Sequence, residues 1–272
     1  MEAWLALVFG LLIGSFLNVC IYRWPRDLSV VRPRSHCTAC GKNIAWYDNV
    51  PLVSYAVLRA RCRACGARIS ARYPVVELLT AVLFFDFVYT LGLTAAAAKL
   101  CVFSAMLVAL IFCDLEERIL PDEFTLGGTL AGLALATVVP VPDTAAQGLL
   151  WLMGADMQGR WLGLVSAAVG AALPAGILWS GGWLYEKIRH REGLGFGDVK
   201  LVAMVGSFLG LEGALMTLVL GSVAGSVLGL IYIKVAGKDA STYELPFGSF
   251  LGTAALVMAV FGRRLLGWTS GF

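Results

Sequence analysis

Two aspartates stand where a charge is expensive. Asp114 follows an apolar run in Cys113-Asp114-Leu115-Glu116-Glu117-Arg118, and Asp198 opens another in Gly195-Phe196-Gly197-Asp198-Val199-Lys200. Ionisable groups at membrane depth are costly and are functional candidates by default. Two carboxylates brought close do not both ionise easily, so the pair shares a proton. The ionised member can then take a proton from water while the protonated member polarises a peptide carbonyl. That is peptide hydrolysis without a covalent intermediate. A single aspartate at a membrane edge reads as a helix cap or an interfacial charge. Two on one side, one of them inside Gly-x-Gly-Asp, favour chemistry. Gly195 and Gly197 let the backbone approach a neighbouring helix or an extended substrate closely.

The second constellation is Cys37-x-x-Cys40 with Cys62-x-x-Cys65, each pair followed by a glycine, Gly41 and Gly66. Tetrahedral Zn²⁺ takes four thiolates, and two short Cys-x-x-Cys turns present them well. A reducing compartment favours metal over disulfide. Four protein ligands leave no open position for water, so the zinc is structural. The alternative is an unmetallated or redox-active cluster. His36 reads as a solvated loop histidine. Cys20, Cys101 and Cys113 lie in apolar stretches and read as small buried hydrophobes.

The elements that carry these groups follow from composition. Of 272 residues, 59% are hydrophobic and 14% charged, against about 25% charged in a soluble domain. The bilayer is therefore the expected solvent. Apolar helices are predicted at 3–22, 75–92, 95–113, 124–141, 161–185, 199–211, 213–233 and 249–266. Glu212, between Gly210 and Gly213, argues for a turn there rather than one helix through 199–233. Eight crossings put 23–74, 114–123, 186–198 and 234–248 on one side. With Lys200 counted at the edge of its loop, that side takes every Lys and Arg of the chain's 21 except Lys99, Arg160, Arg263 and Arg264. The positive-inside rule makes it cytoplasmic, with both aspartates at that boundary and the N-terminus outside. The first apolar run has Glu2 before it and its basic residues after it, so it reads as a retained helix and not a signal peptide. The chain divides into a first transmembrane helix (1–22), a cytoplasmic zinc module (23–74) and a membrane domain (75–272). A piece as small as 23–74 usually needs a staple, which the cysteines supply.

Further residues are weighed beside these. Asn18 lies in the first helix near Gly14 and Ser15, where small residues suit helix packing and Asn18 can bond across helices. Glu77 opens the second helix on the cytoplasmic side, placed to receive a substrate amine or basic leader, or to cap. Lys200 is placed to tune the aspartate pair or to reach headgroup phosphates. Asp122, after Pro121, is placed as an N-cap for the fourth helix. Asp86 lies roughly 16 Å into its helix at about 1.5 Å per residue, a depth that calls for a partner. His190 belongs to the basic loop 187–191, which suits anionic lipid.

The ordered set of motifs resembles a family. Gly14-Ser-Phe-Leu-Asn18-Val with Arg23 is followed by Arg34-Ser-His-Cys37, Asp48-Asn49-Val-Pro51, Ser54-Tyr55 and Leu58-Arg-Ala-Arg61-Cys62. Ile69-Ser-Ala-Arg72-Tyr73-Pro74-Val-Val-Glu77, the two aspartate motifs and Pro246-Phe-Gly-Ser-Phe250 complete it. In this the chain is similar, along nearly its whole length, to bacterial type IV prepilin peptidases, GxGD-type membrane aspartic proteases. The resemblance implies cleavage of the basic leader of prepilins and pseudopilins at the cytoplasmic face of the inner membrane. It implies N-methylation of the new N-terminal residue with S-adenosylmethionine, Asp114 and Asp198 as the catalytic pair, and the four cysteines as the module of bifunctional members. The late motif usually reads PFGPF; Ser249 in place of the second proline is expected to loosen that loop. No Gly-x-Gly-x-x-Gly follows a strand, so the cofactor site is not Rossmann-like and is expected between the zinc module and the membrane helices.

The expected fold is thus an all-α polytopic membrane protein of about eight transmembrane helices, with a four-cysteine zinc module between the first two. Partners are prepilin and pseudopilin substrates and membrane lipids, and no nucleic acid. The competing reading is a transporter using Asp86, Asp114 and Asp198 as a proton relay. It calls for internal repeats with broken helices, and no convincing repeat is visible. A membrane-tethered zinc module for nucleic-acid or protein binding leaves the aspartates unexplained.

Overall fold

A computed structural model describes residues 1–141, 143–152, 154, 159–190, 195–235, 237 and 245–265. Parts of the predicted loops 186–198 and 234–248 lie outside the described residues, as does residue 266 of the last predicted helix. The described helices are α1 (Glu2–Arg23), α2 (Val53–Val57), α3 (Arg72–Leu91), α4 (Ala95–Glu117), α5 (Asp122–Ala136), α6 (Thr144–Leu152), α7 (Gly159–Arg189), α8 (Phe196–Val235) and α9 (Phe247–Leu265). Among the described residues there is no strand, only isolated bridges at His36–Asn43 and Arg61–Arg68.

Helices α1, α3, α4, α7 and α8 are long and apolar enough to cross a membrane; the apolar part of α9, Phe247–Gly262, is shorter. Two boundaries differ from the sequence reading. The predicted helix 124–141 is the shorter α5, and α6 follows where no helix was expected. The predicted turn at Glu212 is a kink at Gly210, whose backbone leaves the helical region at φ 75° and ψ −173°. Only glycine adopts that φ without strain. Glu212 and its flanking glycines, Gly210 and Gly213, made the break legible, and the structure sets it at Gly210.

The chain forms two compact units, Met1–Ala109 and Leu110–Phe272. In the first, α1 packs against α3. A Cβ on Gly14 would fall 2.7 Å from the Cα of Glu77, so these helices meet nearly backbone to backbone. The expected bond across helices is present: Asn18 Nδ2 donates to the Tyr73 carbonyl at 3.1 Å, and to Gly14 of its own helix at 3.2 Å. The chain leaving α1 is gathered by buried Arg23, which donates to the carbonyls of Ser29 at 2.8 Å and Pro33 at 2.7 Å.

In the second unit α8 packs against α5, α6, α7 and α9. A Cβ on Gly206 would stand 1.9 Å from the Gly170 carbonyl oxygen, so α7 and α8 also touch through backbone. The Gly210 kink frees the Leu211 N–H, and fully buried Asp143 accepts it. The other oxygen of Asp143 takes the Ala146 N–H at 3.0 Å, while Glu212 accepts the Ala145 N–H at 2.9 Å and the Thr144 hydroxyl. Unpaired donors at helix starts need partners of this kind. Burial, chiefly, raises the Asp143 carboxyl above its ordinary range against these N–H donors.

Candidate active site and cysteine centre

Asp114 sits in the last turn of α4, 6% exposed. The helix stops four residues on, where Arg118 turns left-handed at φ 55° and donates its N–H to the Asp114 carbonyl at 3.0 Å. Asp198 lies in the first turn of α8, with its N–H donating to the Gly195 carbonyl at 3.1 Å. The fold brings the two together: Asp198 is within electrostatic reach of Asp114 although two helices' worth of chain and more separate them.

A third element completes the site. The first turn of α9 delivers Ser249, whose N–H donates to Asp114 Oδ2 at 2.5 Å and whose hydroxyl donates to the same oxygen at 2.7 Å. The expectation that Ser249 loosens the loop is therefore corrected. Both of its donors tie α9 to Asp114, which a proline lacking an N–H and a hydroxyl would not do. A Cβ on Gly248 would lie 3.2 Å from Asp114 Cγ and 3.0 Å from Leu120 Cδ1, so this glycine permits the approach. Gly197 does the same on α8, where a Cβ would lie 3.2 Å from Leu120 Cβ. Leu120 thus fills the space between the first turns of α8 and α9. A Cβ on Gly195 would meet Asp198 Oδ2 at 3.5 Å, an ordinary contact.

Two supporting residues take other places than expected. Lys200 is turned to a residue that was not named for it: its Nζ lies 2.6 Å from Asp122 Oδ1 and 5.0 Å from the centre of the Phe196 ring. Asp122 is not the N-cap of α5. Pro121 holds that position, and Asp122 is in the first turn with its carboxylate on Lys200. The ion pair joins the start of α5 to the start of α8, beside Asp198. Glu77 is 6% exposed, and its Oε2 accepts the N–H of Leu52 at 2.8 Å, where Leu52 has φ 58°. It ties the cysteine module to α3. Sequence reasoning passed over Ser249 as a donor because its partner lies 135 residues away. It passed over Asp143 because its partners belong to other elements.

The cysteine module is built from two like turns. The backbone carbonyls of Cys37 and Cys62 accept the N–H groups of Gly41 and Gly66 at 2.8 and 2.9 Å. Both glycines have positive φ, 70° and 72°. The four sulfurs lie within 4.8 Å of one another, with Cys37 and Cys65 at 3.9 Å. Tetrahedral sulfurs about 2.3 Å from a zinc ion are separated by roughly 3.8 Å, so the cluster fits a metal ion of that size. Backbone N–H groups of Cys65 and Ala64 aimed at its sulfur bring the Cys62 thiol down to about 7. Cys65 takes the Ala67 N–H, yet desolvation and the three neighbouring thiols push it up to about 11. Arg63 bridges to Asp48 at 2.7 Å, holding the Asp48 carboxyl below the usual carboxylate range.

Residues 8–91 match the Bacterial Peptidase A24 N-terminal domain, and residues 101–230 match the Type IV leader peptidase family. A prepilin leader peptidase/N-methyltransferase of Myxococcus xanthus is 44% identical over 231 residues, covering 85% of this chain and 63% of the relative. Proteins of the same name from Pseudomonas putida and Xanthomonas campestris are 33% and 34% identical, covering 96% and 94% of this chain and 91% and 90% of their own lengths. No solved structure matches the chain. With the carboxylates of α4 and α8 gathered in one unit and likeness running through nearly all of its length, the chain belongs to the type IV leader peptidase family.

Proposed function

We propose that this chain is an aspartic endopeptidase and N-methyltransferase of the bacterial inner membrane. It removes the basic leader of type IV prepilins and pseudopilins and methylates the new N-terminal residue. The observation that carries the proteolytic half is the meeting of Asp114 and Asp198 in one compact unit. Between them the two carboxyls hold one proton, which lets one activate water while the other polarises the scissile carbonyl. The relatives' shared name extends the reading to methyl transfer, for which S-adenosylmethionine supplies the methyl group when bound. No residue described here is assigned to its binding.

Zn²⁺ is held by Cys37, Cys40, Cys62 and Cys65 as four thiolates, and its task is to fold 23–74. The parts 1–22, 23–74 and 75–272 serve as anchor, zinc module and protease domain. Eight crossings follow if the Gly210 kink divides α8 and if α5 and α9 also cross, with the N-terminus outside. The module and the aspartates then lie on the cytoplasmic side, where the basic residues concentrate. Acidic Glu77, Glu116, Glu117 and Asp122 are the groups that would meet a basic leader, and of these Asp122 also pairs with Lys200. The family relationship favours the peptidase over the proton-relay transporter, the kink in α8 notwithstanding.

The test is co-expression with a prepilin, followed by mass spectrometry of the mature N-terminus, which reads cleavage position and added methyl together. Loss of cleavage in membrane-inserted Asp114→Asn and Asp198→Asn is the expected result. Full cleavage by either variant overturns the assignment.

A further inference from the structure

We propose that Ser249 is a positioning residue that reserves the water-activating, ionised role for Asp114 and leaves the shared proton on Asp198. The inference rests on the catalytic reading above and adds a division of labour that two equivalent carboxylates do not have by themselves.

The argument is one of donors. A backbone N–H can only donate, so Asp114 Oδ2, which accepts the Ser249 N–H at 2.5 Å, acts as an acceptor; a proton on Asp114 would have to sit on Oδ1, and donors to Oδ2 favour the ionised form over that state. The Ser249 hydroxyl has one hydrogen and two acceptors in range, Asp114 Oδ2 at 2.7 Å and the Ile111 carbonyl at 3.2 Å. The bond to a carboxylate is the shorter and stronger kind. Both donors come from the first turn of the 19-residue α9, where the Ser249 N–H is shared with the Pro246 carbonyl at 3.2 Å and the N–H groups carry partial positive charge that favours an anion. Asp198 has no counterpart to this: among the described residues no amide or side chain donates to its carboxyl.

The ionisable groups that act on Asp114 are few. Asp198 faces it from α8, and Arg118 acts on it from the end of its own helix. Phe247 to Phe250 of α9 bring no charge. Lys200 is turned to Asp122. The asymmetry of the pair therefore lies with Ser249 and Arg118, both on the Asp114 side.

The steps follow. Water loses a proton to Asp114 as its oxygen bonds the scissile carbon, and Asp198 gives its proton to the carbonyl oxygen. The C–N bond then breaks, the proton held by Asp114 passes to the leaving amine nitrogen, and the hydroxyl formed from the carbonyl returns its proton to Asp198. Both carboxyls end as they began.

The experiment is the pH profile of kcat/KM for a synthetic prepilin with purified full-length protein, comparing Ser249→Thr, Ser249→Ala and Ser249→Pro. Threonine keeps both donors, alanine keeps the N–H, and proline keeps neither while remaining tolerated in a first helical turn. The acidic limb belongs to the pair as a whole and rises as donors to the ionised form are lost. A hydrogen bond to a charged group is worth on the order of one pH unit. Thr is expected to overlay the parent, Ala to move the limb up by about one unit, and Pro by about two. An unmoved limb in both Ala and Pro, with Asp114→Asn and Asp198→Asn inactive, overturns the role of Ser249 and leaves the catalytic pair standing. Cleavage by Asp114→Asn or Asp198→Asn overturns the pair itself.

Discussion

Asp114 and Asp198 differ in what surrounds them although they are the same residue type. Asp114 is buried at the end of α4 and bonded to α9, while Asp198 is half-buried at the start of α8. Loss of one general acid or base lowers rate by about 10²–10⁴. Asp114→Asn and Asp198→Asn are each expected to cut prepilin cleavage at least about a hundredfold in a gel-shift assay, with insertion unchanged. The Lys200–Asp122 pair belongs to another class. Asp122 is 56% exposed and Lys200 20%, and exposed pairs contribute under about 1 kcal/mol. Lys200→Met is therefore expected to lower kcat/KM by less than about tenfold, because it loosens the join between α5 and α8 and removes no reacting group. A drop as large as that of the aspartate variants would return Lys200 to the chemistry.

At the scale of elements, α8 depends on two local devices. Gly206 lets it meet α7 at the Gly170 backbone, and Gly210 bends it. Overpacking a tight contact costs about 1–3 kcal/mol, so Gly206→Ala should lower the thermal midpoint in detergent more than Gly176→Ala, where a Cβ meets nothing within 4 Å. The bend is capped by Asp143, which takes donors from α6 and from beyond the kink. Leaving buried donors unpaired costs about 1–3 kcal/mol, the loss expected for Asp143→Ala. Burial holds the Asp143 carboxyl above its ordinary range, so the folded state binds this proton more tightly than the unfolded chain. Its contribution is thus present at low pH and declines as pH rises above about 4 toward the folded value. The difference in midpoint between the parent and Asp143→Asn should change in that direction over that range. An invariant difference would show that Asp143 does not titrate there.

At the scale of the molecule, each compact unit carries one candidate centre, with the cysteines in Met1–Ala109 and the aspartates in Leu110–Phe272. The two matched family regions, 8–91 and 101–230, fall largely one to each unit. Ser249 lies beyond both. A Cys37→Ser, Cys62→Ser double variant is expected to lose bound zinc by elemental analysis and to open 23–74 to proteolysis. Methyl transfer should suffer at least as much as cleavage. Unchanged methylation in a zinc-free protein would separate the module from that activity.

The sequence by itself determined the helical class, the cysteine cluster and the two aspartates, because each rests on local signals. Apolar runs, the spacing inside Cys-x-x-Cys and a charge at the edge of an apolar run are all visible within a few residues. Helix ends were less legible: α5 came out shorter than its apolar run, and the break in α8 lies at Gly210 and not at Glu212. Only the tertiary structure decided which groups the aspartates and glycines meet. Ser249 reaches Asp114 across 135 residues of chain, and Asp143 reaches Leu211 across 68. A hydrogen-bond partner at that separation is chosen by how helices pack, and packing brings together residues whose own neighbours in the chain say nothing of it.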